Sequence, residues 1–532
     1  MVSVADDDFF HLFSAEGMGE EWQMTETDIP FWFAESDSAW SNVFLDPNPP
    51  SLTSDIPSPM EDLTMSMQEY FEAKSRAPSP SLKANKFWYG ATPTLNDHNE
   101  DIVRVFSRTF RKHIPQTFTL FKEPTVSGKG RDAYTLALAA VGGLFCDVPG
   151  SSEVSKSMYN DARRLLLASV GQYSCQMCFA DNAQFNRRPL DDTSAASEDK
   201  LTTFVLLALY GLCSGDKRSY EFTEAFHSHL MDSVRDYTRP SSFAASNPRS
   251  QGEITRVLEA LYILDCYRVI IMQCPPSLGW HHPNSITTFS SPMDRISRLH
   301  HEEGIGSLRG KSSTLGNLAS LSPFLWPVMY PRQNRYGNNN VSVESVSLWK
   351  GDFVELACDS WLRSQPQATA SDLAIYHLMN IMLHANLTVI QSFVHSASDS
   401  AARDPKKSLA AMEIHAWTRS RHYQIAHWHA ERMIAAVQEA FTAPSSRSEQ
   451  SDIQAHIRAS SGADPRHLSF EAPHVPYAVY FATLVIWCGD ILNETIASTS
   501  SGQATIIRGE RILSFHRVHV AQLLGRVLSE VK

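Results

Sequence analysis

From about residue 86 onward, apolar positions recur every three or four residues, the spacing that places them on one face of an α-helix. Residues 101–118 show it through Ile102, Val105, Phe106 and Phe110. Residues 253–272 show it best: Ile254, Val257, Leu258, Leu261 and Leu264 share a face, and Pro275-Pro276 stand just beyond as a stop signal. Two stretches, 135–146 and 477–488, are apolar throughout and suit buried helices. Further helices are expected over 134–145, 161–171, 201–213, 221–237, 345–364, 372–397, 412–441, 477–497 and 508–531. Polar stretches at 181–200, 239–252, 282–343, 398–409 and 443–470 read as loops. No segment alternates with period two and no unit repeats at fixed length. The expected fold class is therefore all-α, a large irregular multi-helix domain over 86–532.

Residues 1–85 break the pattern. Residues 46–60 (DPNPPSLTSDIPSPM) and 76–82 (RAPSPSL) are rich in Pro and Ser, and a chain with so little apolar surface does not offset its conformational entropy. A disordered arm and linker is expected over 1–85. Ser58-Pro59 and Ser79-Pro80 read first as linker and second as proline-directed phosphorylation sites. Large aromatics stud the arm: Phe9, Phe10, Phe13, Trp22, Phe31, Trp32, Phe33, Trp40 and Phe44. Carboxylates lie between them at Asp6–Asp8, Glu16, Glu20, Glu21, Glu26, Asp28, Glu35 and Asp37.

Charge sharpens the division. The 532-residue chain has a formal net charge of -12, yet residues 1–73 hold 16 acidic residues and no Lys or Arg. All 46 basic residues and the other 42 acidic ones lie beyond, so the body is near neutral. The eight cysteines (Cys146, Cys175, Cys178, Cys213, Cys266, Cys274, Cys358 and Cys488) are scattered, mostly within apolar runs. That usage fits reduced thiols of the cytosol or nucleus rather than a secreted disulfide framework. The acidic N-terminus does not resemble a signal peptide, and no apolar run is expected to reach the ~20 residues of a bilayer span, so no membrane partner is expected.

Candidate chemistry is sparse. Cys175 and Cys178 (CQMC) have the spacing of half a zinc site, but Cys213, His227 and His229 are too distant and irregular to complete it. GIGSLRGKSS at 304–313 resembles a phosphate-binding loop, but the glycines at 304 and 306 each miss the required position by one. His415, His422, His427 and His429 cluster near Trp417 and Trp428 without the His-Glu-x-x-His of a zinc protease, and read as one amphipathic helix with an aromatic side. Asp191-Asp192 sits in an expected loop without the third carboxylate a diphosphate-bound Mg²⁺ requires. No nucleophile elbow or dinucleotide fingerprint occurs, and no catalytic residue is assigned.

Several segments resemble the fungal-specific transcription factor domain, the regulatory middle-homology region found beside zinc-finger DNA-binding modules. IVRVFSRTFRKHIPQTFTLF, LALAAVGGLFC and ARRLLLASVG resemble its opening helices. FVLLALYGLCSGDKRSYEFTEAFHSHL resembles its apolar helix, basic turn and second helix. RVLEALYILDCYRVIIMQCPPSL resembles its signature helix ending in Pro-Pro, and VPYAVYFATLVIWC resembles a late helix of the same domain. The resemblance implies a nuclear regulator of RNA polymerase II transcription that acts with DNA, with a metabolic or secondary-metabolite gene cluster as the target class. It leaves homo- and heterodimerisation open. The chain departs from the family in having no C2H2 or six-cysteine zinc cluster. No cofactor is expected of it, and zinc would belong to the missing module alone.

Acidic–hydrophobic alternation is the composition of a disordered activation domain. Carboxylates keep the arm solvated and expanded, while its aromatics fold into an apolar groove on a coactivator. The competing reading packs the arm against its own helical body. At the level of the whole chain, the expected activator competes with a non-DNA-binding modulator that acts through a DNA-binding partner. It also competes with an all-α enzyme or small-molecule binding protein.

Overall fold

The computed structural model describes residues 93–122, 131–179, 190–225, 227, 230, 248–277, 314–329, 343–398, 405–442, 470–493 and 500–531. Every element among them is helical and none is a strand, as the periodicity predicts. These residues fall within one compact unit of the chain.

Helix α1 (Glu100–His113) shows how local sequence sets an element. Asn99 caps it by accepting from the amides of Asp101 (2.9 Å) and Ile102 (3.3 Å). Acids occupy its first turn and Arg111, Lys112 and His113 its last, matching the helix dipole. Its buried face is Ile102, Val103, Phe106 and Phe110. α2 (Asp132–Gly143) is apolar on all sides and packs against α1, α3 (Ser151–Phe179) and α4 (Leu190–Ser214). Gly142 permits the approach, since a Cβ there would stand 2.0 Å from the Phe106 carbonyl oxygen.

Helices α5 (Lys217–Ala225) and α6 (Pro248–Ile270) come next, and then α7 (Thr314–Ala319), α8 (Ser322–Met329) and α9 (Val343–Ser364). The second half contains α10 (Ala370–His384), α11 (Leu387–Ser398), α12 (Pro405–Thr418), α13 (Arg421–Thr442), α14 (Val475–Asn493), α15 (Ser500–Leu513) and α16 (His519–Glu530). α14 is its axis. Neighbours α10, α11, α12, α13, α15 and α16 all pack on it, and residues 471–489 are buried without a break. Burying each large apolar side chain contributes about 1.5–3 kcal/mol, so this helix anchors the second half of the core. Its window Val475–Leu492 is long and apolar enough to cross a membrane, contrary to the expectation from its shorter apolar run, and 83% of that window is buried inside the fold.

The other boundaries shift for identifiable reasons. The stretch 181–200, expected as a loop, is helical from Leu190, and Asp199 there pairs with Arg131 (2.7 Å). The stretch 239–252 is helical from Pro248, and 282–343 contains α7 and α8. Three expected helices are each two. Residues 372–397 bend by 85° after His384, where Asn386 caps α11 by accepting from the Val389 amide (3.3 Å). Residues 412–441 divide at Ser420, whose hydroxyl accepts from the Tyr423 amide (3.3 Å). Residues 508–531 divide after Leu513, where Glu471 Oε2 takes the amides of Arg517 (2.8 Å) and Val518 (3.2 Å). α5 begins at Lys217, because Asp216 captures the amide (3.1 Å) and hydroxyl (2.6 Å) of Ser219.

Candidate functional site

The signature helix α6 ends in a braced turn beside a small cavity. Cys274 N–H donates back to the Arg268 carbonyl (2.9 Å), and Gln273 sits at φ +54°, the left-handed conformation that closes many helices. Asp265 and Arg268 lie one turn apart and clamp the Pro275–Ser277 segment beyond the helix. Asp265 accepts the Ser277 amide on both oxygens (2.9 and 3.1 Å). The Arg268 guanidinium forks onto Glu224 of α5 (2.8 and 2.9 Å), reaches the Pro275 carbonyl (3.1 Å) and also donates to the Ser277 hydroxyl. His227 contacts that same hydroxyl. The two Pro residues thus do more than stop the helix: they lie inside a polar knot tying α5, α6 and the turn after α6 together.

Burial alone would raise the Glu224 carboxyl, but the hydrogen bonds and charge of Arg268 bring it below its ordinary range. The same pairing pushes the Arg268 guanidinium up against the opposing effect of burial. Burial first, and then the Arg268 charge, lower His227 to about 4, so its ring is neutral. Burial raises the Cys274 thiol, which contacts the Tyr220 hydroxyl at 3.2 Å. Next to this knot lies a cavity of about 30 Å³ with an apolar floor including Ala208, Leu212, Leu261 and Leu264. That volume holds a water or two, so the site acts mainly as a brace.

A second buried constellation links Ser371, His474 and Tyr267. Tyr267 donates to His474 Nδ1 (2.6 Å), and His474 Nε2 donates to the Ser371 carbonyl (2.8 Å) while lying 3.1 Å from the Ser371 hydroxyl. The arrangement looks like a nucleophile–base relay, but Nε2 carries the proton and offers the hydroxyl no lone pair. Complete burial lowers His474 to about 4, which keeps the ring neutral. This relay locks the start of α14 to α6 and α10.

The histidine cluster does not occupy one amphipathic helix. His415 is exposed near the end of α12, while His422, His427 and His429 lie on α13. His429 Nδ1 faces His377 Nδ1 at 2.9 Å, and His422 Nδ1 faces His384 Nδ1 at 3.0 Å. The pairs step seven residues forward on α10 and seven backward on α13, forming two rungs across an antiparallel seam. Burial first, and then His429, lower His377 to about 3. The α13 half of each rung is visible in the sequence as a dense run of histidines. His377 and His384 carry no such signal, because they lie 52 and 38 residues from their partners. Trp428, expected on a partly buried aromatic side, is 52% exposed beneath the Arg432 guanidinium.

The remaining candidates fall apart or lie elsewhere. Cys175 and Cys178 are on α3, with side chains outside the described residues. Asp191-Asp192 begins α4 rather than occupying a loop. His229, residues 304–313, Ser58, Ser79 and the arm aromatics from Phe9 to Phe44 lie outside the described residues. Among the described residues, no group of three or more His, Cys, Asp or Glu side chains is arranged to hold a metal ion. Cys146, Cys213, Cys266, Cys274, Cys358 and Cys488 are free thiols.

Fold and site together define an all-α domain organised around a buried central helix and a braced helix terminus. Comparisons with family models, with curated proteins and with solved structures found no match to this chain.

Proposed function

We propose that the chain regulates RNA polymerase II transcription in a fungal nucleus, as an activator that works through residues 1–85 and is controlled or dimerised through the helical body. The observation that carries this reading is the arm itself: nine large aromatics among carboxylates in a segment with no Lys or Arg before Lys74. The resemblance of the Arg256–Leu278 segment to the transcription factor domain supports it. Two polar residues of that segment, Asp265 and Arg268, form the brace at the end of α6. Contact with DNA is assigned to a zinc-bearing segment or partner, because this sequence has no zinc cluster. The second reading, a modulator that pairs with a DNA-binding protein, rests on the same feature. A metabolic or secondary-metabolite gene cluster remains the proposed target class.

Residues 1–85 fused to a heterologous DNA-binding domain should activate a reporter. Changing Phe31, Trp32 and Phe33 together to Ala should abolish the signal at equal protein level. A silent wild-type fusion would refute the activation reading. Tight sequence-specific DNA binding by the purified chain would refute the assignment of DNA contact elsewhere.

A further inference from the structure

We infer that the rung formed by His384 and His422 is a binding site for an imidazole-preferring divalent transition metal, of the class of Zn²⁺, Ni²⁺ or Cu²⁺, which would clip α10 to α13. The two Nδ1 atoms face each other at 3.0 Å across the seam. Two nitrogens bound tetrahedrally to one zinc stand roughly 3.3 Å apart, so the rings need separate by only a few tenths of an ångström.

The surroundings favour ligation. Both Nδ1 atoms must be bare to bind a metal, which moves each ring proton to Nε2. His384 Nε2 faces the Glu355 carboxylate at 3.7 Å and has no hydrogen-bond partner, so a carboxylate stands ready to hold that tautomer. Asp352, Glu355 and Asp359, at i, i+3 and i+7, put three carboxylates on one side of α9, against Arg421 as the nearby cation. Trp417 Nε1 donates to the His384 carbonyl (2.7 Å) and pins the α12–α13 junction beside the rung. His422 is exposed, which gives an ion access and leaves room for water. Two protein ligands meet here among the described residues, so waters complete the shell. The other rung, His377 and His429, is buried and has the Arg432 charge acting on it.

The full chain, stripped with chelator and carrying Cys175→Ser and Cys178→Ser to remove the competing CQMC pair, would be titrated with ZnCl₂ and NiCl₂ by calorimetry and thermal unfolding. One equivalent of Zn²⁺ should bind and raise Tm, while MgCl₂ and CaCl₂ should leave Tm unchanged. His422→Ala, an exposed substitution that the fold tolerates, should reduce affinity at least tenfold, and Glu355→Gln should weaken it about tenfold through the lost tautomer support. His377→Asn should leave zinc affinity unchanged. No zinc binding by the parent, or binding undiminished by His422→Ala, would overturn the inference.

Discussion

The carboxylate of Glu224 and the guanidinium of Arg268 meet through two near-parallel hydrogen bonds, 2.8 and 2.9 Å long, with each side chain only 15% exposed. One partner is on α5 and the other on α6, so the pair fixes the angle at which the braced turn leaves the core. Breaking a buried pair strands a charge, whereas replacing both members with apolar groups of similar size often does not. Arg268→Met or Glu224→Leu alone should each cost about 3–5 kcal/mol. The double variant should recover only part of that loss, because Asp265, 3% exposed and 3.3 Å from Arg268, still loses its cation; urea midpoints report the difference.

The left-handed backbone at Gln273 gives a second prediction. A β-branched side chain is strained there, whereas glycine is not. Gln273→Val should be about 1–2 kcal/mol less stable than Gln273→Gly, a difference measurable by thermal unfolding. Both variants lose the contact with the Thr388 hydroxyl, so the comparison isolates the backbone.

Gly142 tests the α1–α2 contact. Ala at this position drives Cβ onto the Phe106 carbonyl oxygen, and backbone cannot yield as a flexible side chain can. Gly142→Ala should destabilise by about 1–3 kcal/mol. At Gly150 (φ +82°) no atom lies within 4 Å, so Gly150→Ala should show only the conformational cost.

The buried histidines predict acid sensitivity. His113, His227 and His474 are each lowered to about 4, chiefly by burial. Their folded-state values lie below the ordinary one near 6.5, so the unfolded chain binds more protons between those limits. The stability from these neutral rings is fully present above about pH 6.5 and is lost as pH falls toward 4. The urea midpoint should drop across that window, and His474→Gln should flatten the dependence.

The helical class and the end of α6 were legible in the sequence because each signal is local: a 3.6-residue period and a Pro-Pro stop. The polar knot was not legible: Asp265, Arg268 and Glu224 all lie inside resembling segments, but nothing local marks them, and Glu224 is 44 residues from Arg268. The histidine rungs were hidden for the same reason.

Three helix breaks show where local information ends. Asn386 and Ser420 are capping residues, and each break near them is written in the adjacent sequence. The break between α15 and α16 has no such local cap. Val518 stands at the N-cap without a side-chain hydrogen bond, and the acceptor is the carboxylate of Glu471, 46 and 47 residues before the amides it captures. The sequence by itself determined the helical class and the main apolar faces, because periodicity sets both, but it read the helical residues 190–200, 248–252, 314–319 and 322–329 as loops. The tertiary structure alone decided where α15 gives way to α16 and which polar groups meet in the core. Those outcomes depend on acceptors carried in by distant segments, and a buried amide is paired only once the chain has folded around it.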